Sequence, residues 1–178
     1  SRAELAQAIR LPAEQVGVGV DEVLLRALVE EVYDQPGALP LLQYALTELF
    51  ERRQQQQMTL DEYERIGRVS GALANRAEAL YQALDEAERA LARQLFLRLV
   101  AVGEGTGDTR RRVQRRVLDS LLTGGGEGLE EGESDRLSAI IDRFGRYRLL
   151  TFDRDPATRE PTVEVAHEAL LSAWPRFQ

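Results

Sequence analysis

The 178-residue sequence has no cysteine, one histidine, one tryptophan and one methionine. Without thiols, disulfides, cysteine-bound metals and cysteine nucleophiles are all excluded. No apolar run approaches the roughly 20 residues of a membrane-spanning helix, and no signal-peptide pattern opens the chain. Nowhere does Gly-Lys-Ser/Thr occur, and the stretch Gly124-Gly125-Gly126 leads into acidic residues. That excludes a Mg-phosphate cradle and reads as a flexible surface loop. One imidazole among scattered carboxylates makes no metal-ligand set, and no nucleophile elbow accompanies it. Positive charge is short as well: the net charge is -7 and the pI about 4.9. Such a balance argues against broad affinity for nucleic acid or anionic membrane. These absences describe a soluble, cytoplasmic protein without a metal site or a catalytic centre of its own. A start at Ser1 rather than Met reads as part of something longer.

What is present is helical periodicity. Glu4 to Ile9 is a short helical segment expected to stop before Pro12, because proline disfavours the helical region for the residue before it. Gly17 to Val20 reads as a connector. With Asp21 as N-cap, Leu24, Leu25, Leu28, Val29 and Val32 lie on one face of a helix ending before Pro36-Gly37. Leu41, Leu42, Ala45, Leu46, Leu49 and Phe50 repeat the spacing up to Arg53, and the two helices are expected to pack across a tight turn. Gln54 to Gln57 is a polar loop or frayed end. Thr59-Leu-Asp-Glu62 has the capping-box pattern, and Asp85 with Glu88 gives a second cap signal. Leu73, Ala77, Leu80 and Leu84 mark one helix, and Leu91, Leu95, Phe96, Leu99 and Val100 the next. The chain is thus read as all helical up to Val102.

Beyond Val102 the composition changes. Gly103 to Gly107 opens a turn, and Thr123 to Gly128 with Glu130, Glu131 and Glu133 makes an acidic loop. Arg110 to Leu122 lies between them as a short strand or helix start followed by a helix. Ser134 to Phe144 forms another helix, ended by Gly145, with Leu137, Ile140, Ile141 and Phe144 inward. Leu149-Leu-Thr-Phe152 and Thr162-Val-Glu-Val165 alternate with period two around a long hairpin tip. A final helix follows from Glu168 to Trp174. Helix, strand, helix, helix and a two-stranded wing is the order of a winged helix-turn-helix. The expected fold is therefore mainly α, a helical bundle over 1–84 followed by a winged helix with a small β-hairpin over 85–178.

Two features carry chemistry. Arg110, Arg111, Arg112, Arg115 and Arg116 form the dense basic cluster, inside the winged-helix region, where phosphate contacts of a DNA-binding regulator would lie. Against DNA as a partner, the helix assigned to base reading follows an acidic loop and carries Asp135 and Asp142. The alternative is an arginine surface paired with acidic neighbours. His167, at the junction of a strand and a helix, sits where unpaired backbone N–H groups hold phosphates. From chemistry alone, the favoured reading is a last polar residue before a helix, because a single histidine with no partner carries little information.

Three runs decide further: Gln35-Pro-Gly-Ala-Leu-Pro-Leu-Leu-Gln-Tyr-Ala-Leu46, Asp108-Thr-Arg-Arg-Arg-Val113, and Val163-Glu-Val-Ala-His-Glu-Ala-Leu-Leu-Ser-Ala-Trp-Pro-Arg176. Together they resemble the C-terminal half of the bacterial novel STAND NTPase module, from its helical lid to its winged helix. In the wider STAND group, a Gly-x-Pro turn packs its proline on adenine, and Ala38-Leu39-Pro40 matches with Pro40 in that place. Ala38 departs from the pattern, since Gly37 lies one residue earlier. A Met-His-Asp motif contacts the β-phosphate of ADP in that group. Ala166-His167-Glu168 aligns with it, keeping the histidine alone. The resemblance thus implies Pro40 and His167 as nucleotide-binding residues, with ATP or ADP and Mg held mainly by an upstream phosphate-loop domain of the same protein. It also implies a downstream WD-repeat or other sensor domain, an oligomer of the parent, and no hydrolysis by this portion alone. Two other readings stay open: a winged-helix DNA-binding transcription regulator and a nucleotide-independent interaction scaffold.

Overall fold

A computed structural model describes residues 1–35, 37–101, 109–122 and 132–177. The expected turn at Gly103 to Gly107 and most of the acidic loop from Thr123 lie outside them. The chain divides into two compact units, Ser1–Asn75 and Arg76–Gln178. The sequence reading placed the step between Leu84 and Asp85; the division lies inside a helix.

The first unit contains α1 (Arg2–Gln15), β1 (Gly19–Val20), α2 (Glu22–Val32), α3 (Leu39–Glu51), β2 (Gln57–Met58), α4 (Leu60–Arg65) and the start of α5 (Arg68–Gln82). Helix α1 does not stop before Pro12 but carries it inside. The proline deprives the Ala8 carbonyl of its helical donor, and Ala8 is exposed. A capping box between Ser1 and Glu4 fixes the start of the helix, while Ile9 and Ala13 bury its inner face. In α2 all five periodic residues, Leu24, Leu25, Leu28, Val29 and Val32, are buried as their spacing predicts, and α2 packs on α3. Asp21 occupies the N-cap without a side-chain bond; its backbone N–H donates instead to the Met58 carbonyl.

The connector at Gly17 to Val20 and the polar glutamine run both gain structure. Gly19 and Val20 pair in parallel with Gln57 and Met58. The glutamine run reverses direction through Gln55 and Gln56, both at positive φ, and Gln54 and Gln57 exchange backbone hydrogen bonds. The region before Val102 is therefore helical apart from this two-stranded pair and a short strand at its end, Val100–Ala101. At Thr59 half of the expected capping box forms: the hydroxyl accepts the Glu62 N–H, while the Glu62 carboxylate turns to Arg65 and Gln54.

The second unit begins within α5 and continues through α6 (Glu86–Arg98), β3 (Val100–Ala101), β4 (Thr109–Arg110), β5 (Val113–Gln114), α7 (Arg115–Leu122), α8 (Glu133–Arg146), β6 (Leu150–Arg154), β7 (Pro161–Val165), α9 (Ala169–Ala173) and a 3-10 turn, Pro175–Phe177. The Asp85–Glu88 capping box that starts α6 is complete. The hairpin read at Leu149 to Val165 is present as β6 and β7, and β5 joins it to give the antiparallel order β5-β7-β6, with Val163 opposite both Val113 and Phe152. Helix α6 packs on α7 and α8, and α8 on β6.

Gly145 does not break α8, which runs on to Arg146. The glycine serves another purpose: a Cβ there would overlap the ring of Phe152, which lies across the helix. The core of this unit is aromatic. Trp174 meets Phe96 and Tyr81 edge-on, with ring centroids 5.1 and 6.0 Å away, and Phe96 in turn meets Phe144 edge-on at 5.0 Å.

Glu78 of α5 ties the end of the chain to this core. Its carboxylate accepts from Trp174 Nε1 at 2.9 Å and from Arg176 Nε and Nη2 at 2.7 and 2.6 Å. The Arg176 hydrogen bonds hold its pKa down to about 2, against the opposing effect of burial. A carboxylate depressed from 4.5 stabilises the fold above that value and loses the contribution as pH falls towards 2. Because the side chain is 37% exposed, solvent screening reduces the gain to on the order of 1 kcal/mol. Replacing Glu78 with glutamine should flatten the fall in melting temperature between pH 4.5 and 2; an unchanged acid limb would refute the assignment.

Candidate nucleotide-contact site

Pro40 and His167 lie on different units. Pro40 is the second residue of α3, where the missing N–H of proline costs no helical bond. It is exposed, and its neighbour Leu39 is 65% exposed. The turn leading to it uses Gly37, at φ 84° with open space around it, whereas Ala38 is buried in an ordinary right-handed conformation. Glycine is thus needed at 37, not at 38. The side chain of Leu39 borders an open cleft of about 610 Å³, lined also by Leu5, Ala8, Val32 and Tyr33. Glu4 and Asp34 line it as well, and it lies open to solvent.

His167 follows β7 and is half-buried. The preceding Ala166 N–H donates to the carbonyl of Leu149, the residue just before β6, at 2.9 Å, and the His167 carbonyl accepts from Leu170 N–H at 3.0 Å. The helix expected from Glu168 to Trp174 is shorter, spanning Ala169–Ala173. Five residues develop little of the dipole that favours phosphates at longer helices, so the helix end is not what distinguishes this position. Its basic neighbour is. Burial first, and then the charge of Arg110, lower the pKa of the imidazole from its usual 6.5. Both favour the neutral imidazole over the imidazolium.

The arginine cluster is largely paired within the fold. Arg112 bonds Glu164 through Nε and Nη2, both at 3.3 Å, and lies 3.3 Å from Asp153. Arg115 reaches Asp119 at 3.2 Å and the Ser138 hydroxyl at 2.7 Å. Arg116 Nε lies 2.6 Å from Glu160 as an ion pair and donates to the Gln114 side chain at 3.3 Å. Arg110 alone of these four uses backbone oxygens, those of Val165 and Ala166. Sequence reasoning found the cluster but not this contact, because it spans more than fifty residues and has no local signal.

Among the described residues, no group of three or more histidine, aspartate or glutamate side chains is placed to hold a metal ion. No helix there is long and apolar enough to cross a membrane. The described residues are mainly helical, with a three-stranded antiparallel sheet, an exposed proline at the start of α3 and a half-buried histidine after β7. The chain belongs to the family described as Novel STAND NTPase 1, whose model matches residues 1–178. No curated protein and no solved structure matches it.

Proposed function

We propose that this chain is the regulatory portion of a STAND-type signalling NTPase, in which a helical lid and a winged helix help retain nucleotide and gate assembly. Membership of the family over the whole chain carries this reading. The order α6, β5, α7, α8, β6, β7 supports assigning the second unit as the winged helix. ATP or ADP with Mg would be held mainly by a phosphate-loop domain elsewhere in the parent protein, since this chain contains no lysine at all. Pro40 and Leu39 offer an apolar surface for the base, and His167 a neutral N–H donor for the β-phosphate. Exchange of ADP for ATP would release the winged helix.

A hydrogen bond to a charged group contributes roughly 1.5 to 3 kcal/mol. Moving a two-state equilibrium from 1:99 to 99:1 takes about 5.5 kcal/mol. His167 thus biases the switch, and domain contacts of the parent supply the remainder. Substituting His167 with alanine in the parent protein should speed ADP release by roughly tenfold or more, read by displacement of a fluorescent ADP analogue. An unchanged off-rate would count against the phosphate contact. The DNA-binding reading is the weaker one, because Arg112, Arg115 and Arg116 already meet carboxylates.

A further inference from the structure

The run Asp108 to Val113 is not accounted for by Pro40 and His167, and it contains the one arginine of the four just described that no carboxylate meets among the described residues. Arg110 ends β4, which pairs with β3 through Val100 opposite Arg110. Its Nη1 donates to the Val165 carbonyl at 3.3 Å and to the Ala166 carbonyl at 3.1 Å. Those are the two carbonyls immediately before His167. A guanidinium has five N–H donors in a planar fork, so the group keeps donors beyond the two used here.

We propose that Arg110 and His167 form one anion site for the diphosphate of the nucleotide, Arg110 supplying the permanent charge and, through the Val165 and Ala166 carbonyls, fixing the turn that carries the imidazole. The proposal rests on the phosphate reading of His167 and extends it to a second residue. Its physical basis is charge balance. A neutral imidazole can donate one hydrogen bond but offsets none of the charge of a diphosphate. An arginine does both, and its fork matches two phosphate oxygens at once. Arg110 on β4 is the charged group that acts on the imidazole; Glu164, three residues earlier on β7, is taken up by Arg112, and Glu168, next in the chain, is exposed. An arginine beside an imidazole disfavours protonation until an anion arrives, and the anion then raises the histidine pKa.

Because His167 is the only histidine, its Hε1 proton gives a single imidazole resonance in the 178-residue chain. Three titrations test the site, with inorganic pyrophosphate as the probe. In the free protein, Arg110→Gln should move the His167 midpoint upward, though not fully to its usual value, since burial remains. Pyrophosphate should shift the wild-type resonance saturably and raise its midpoint. Arg110→Gln should weaken that binding roughly tenfold or more, and Arg110→Lys, which keeps the charge but not the fork, by less. Circular dichroism melts confirm that each variant is folded, and Arg110→Lys carries the test if the glutamine variant is not. Equal pyrophosphate affinity in wild type and variants would overturn the Arg110 site while leaving the phosphate reading of His167 intact. A wild-type resonance indifferent to pyrophosphate would overturn the shared site, and an unchanged ADP off-rate of His167→Ala in the parent would separately remove the reading beneath it.

Discussion

Truncating Trp174 to alanine should cost the second unit about 3 to 5 kcal/mol, the range for removing a large aromatic side chain from a packed core. The residue is 1% exposed and touches the rings of Tyr81, Phe96 and Phe144. Its indole N–H also satisfies Glu78, so the truncation removes both apolar contact and one donor to a carboxylate. Trp174→Phe separates the two contributions: it keeps a ring in the cluster and should cost about 1 to 3 kcal/mol, mainly through the lost hydrogen bond and the smaller ring. Urea unfolding followed by circular dichroism measures both, and since Trp174 is the sole tryptophan, its fluorescence in the wild type reports this core directly. A midpoint for Trp174→Ala within about 1 kcal/mol of wild type, at an unchanged slope, would mean that the cluster is not the keystone of the unit. Natural domains hold roughly 5 to 15 kcal/mol in total, so the predicted loss is a large fraction of what is available.

What was legible in the sequence was local. The five-residue stripe of α2 follows from a 3.6-residue period, and the start of α6 follows from the spacing of Asp85 and Glu88, because both patterns reflect contacts three or four residues apart. The β6–β7 hairpin was legible for the same reason, its alternation having a period of two. The misread elements were settled by distant partners. Helix α1 passes through Pro12 because Ile9 and Ala13, on either side of the proline, are both buried in the first unit, and the residue whose carbonyl loses its donor, Ala8, is exposed. Gly145 stays helical because the ring of Phe152 arrives from β6 to fill the space a side chain would take. Glycine in a helix is ordinarily unfavourable by about 1 kcal/mol, and from sequence alone a break is the natural reading. At the candidate site, Pro40 and His167 were named through family resemblance, whereas Arg110 became distinct from its arginine neighbours only when its carbonyl partners were seen.

The same distinction governs the first unit, where the start of α5 has no local cap. Gly67 and Arg68 enter the helix with φ of 90° and 61°, leaving the first N–H groups without the usual Ser, Thr or Asp acceptor. Residues of two other helices supply it. Glu31 of α2 accepts the Ser70 N–H at 3.1 Å through one oxygen and the Tyr63 hydroxyl at 2.6 Å through the other. The Tyr63 oxygen in turn accepts the Val69 N–H at 3.3 Å. Tyr63 is fully buried, and burial, followed by the adjacent Glu31 carboxylate, pushes its pKa far above the ordinary tyrosine value. It therefore remains a hydrogen-bond donor across the whole neutral range. Tyr63→Ala should cost about 3 to 5 kcal/mol, a cavity in place of a buried ring. Tyr63→Phe should cost about 1 to 3 kcal/mol, because it leaves the Val69 N–H buried without an acceptor. If the relay is cooperative, Glu31→Gln combined with Tyr63→Phe will destabilise by less than the sum of the two singles, since each already breaks the same link. Strict additivity in that double-mutant cycle, measured by urea unfolding, would show that α2 and α4 cap α5 independently and that the relay is only a coincidence of geometry.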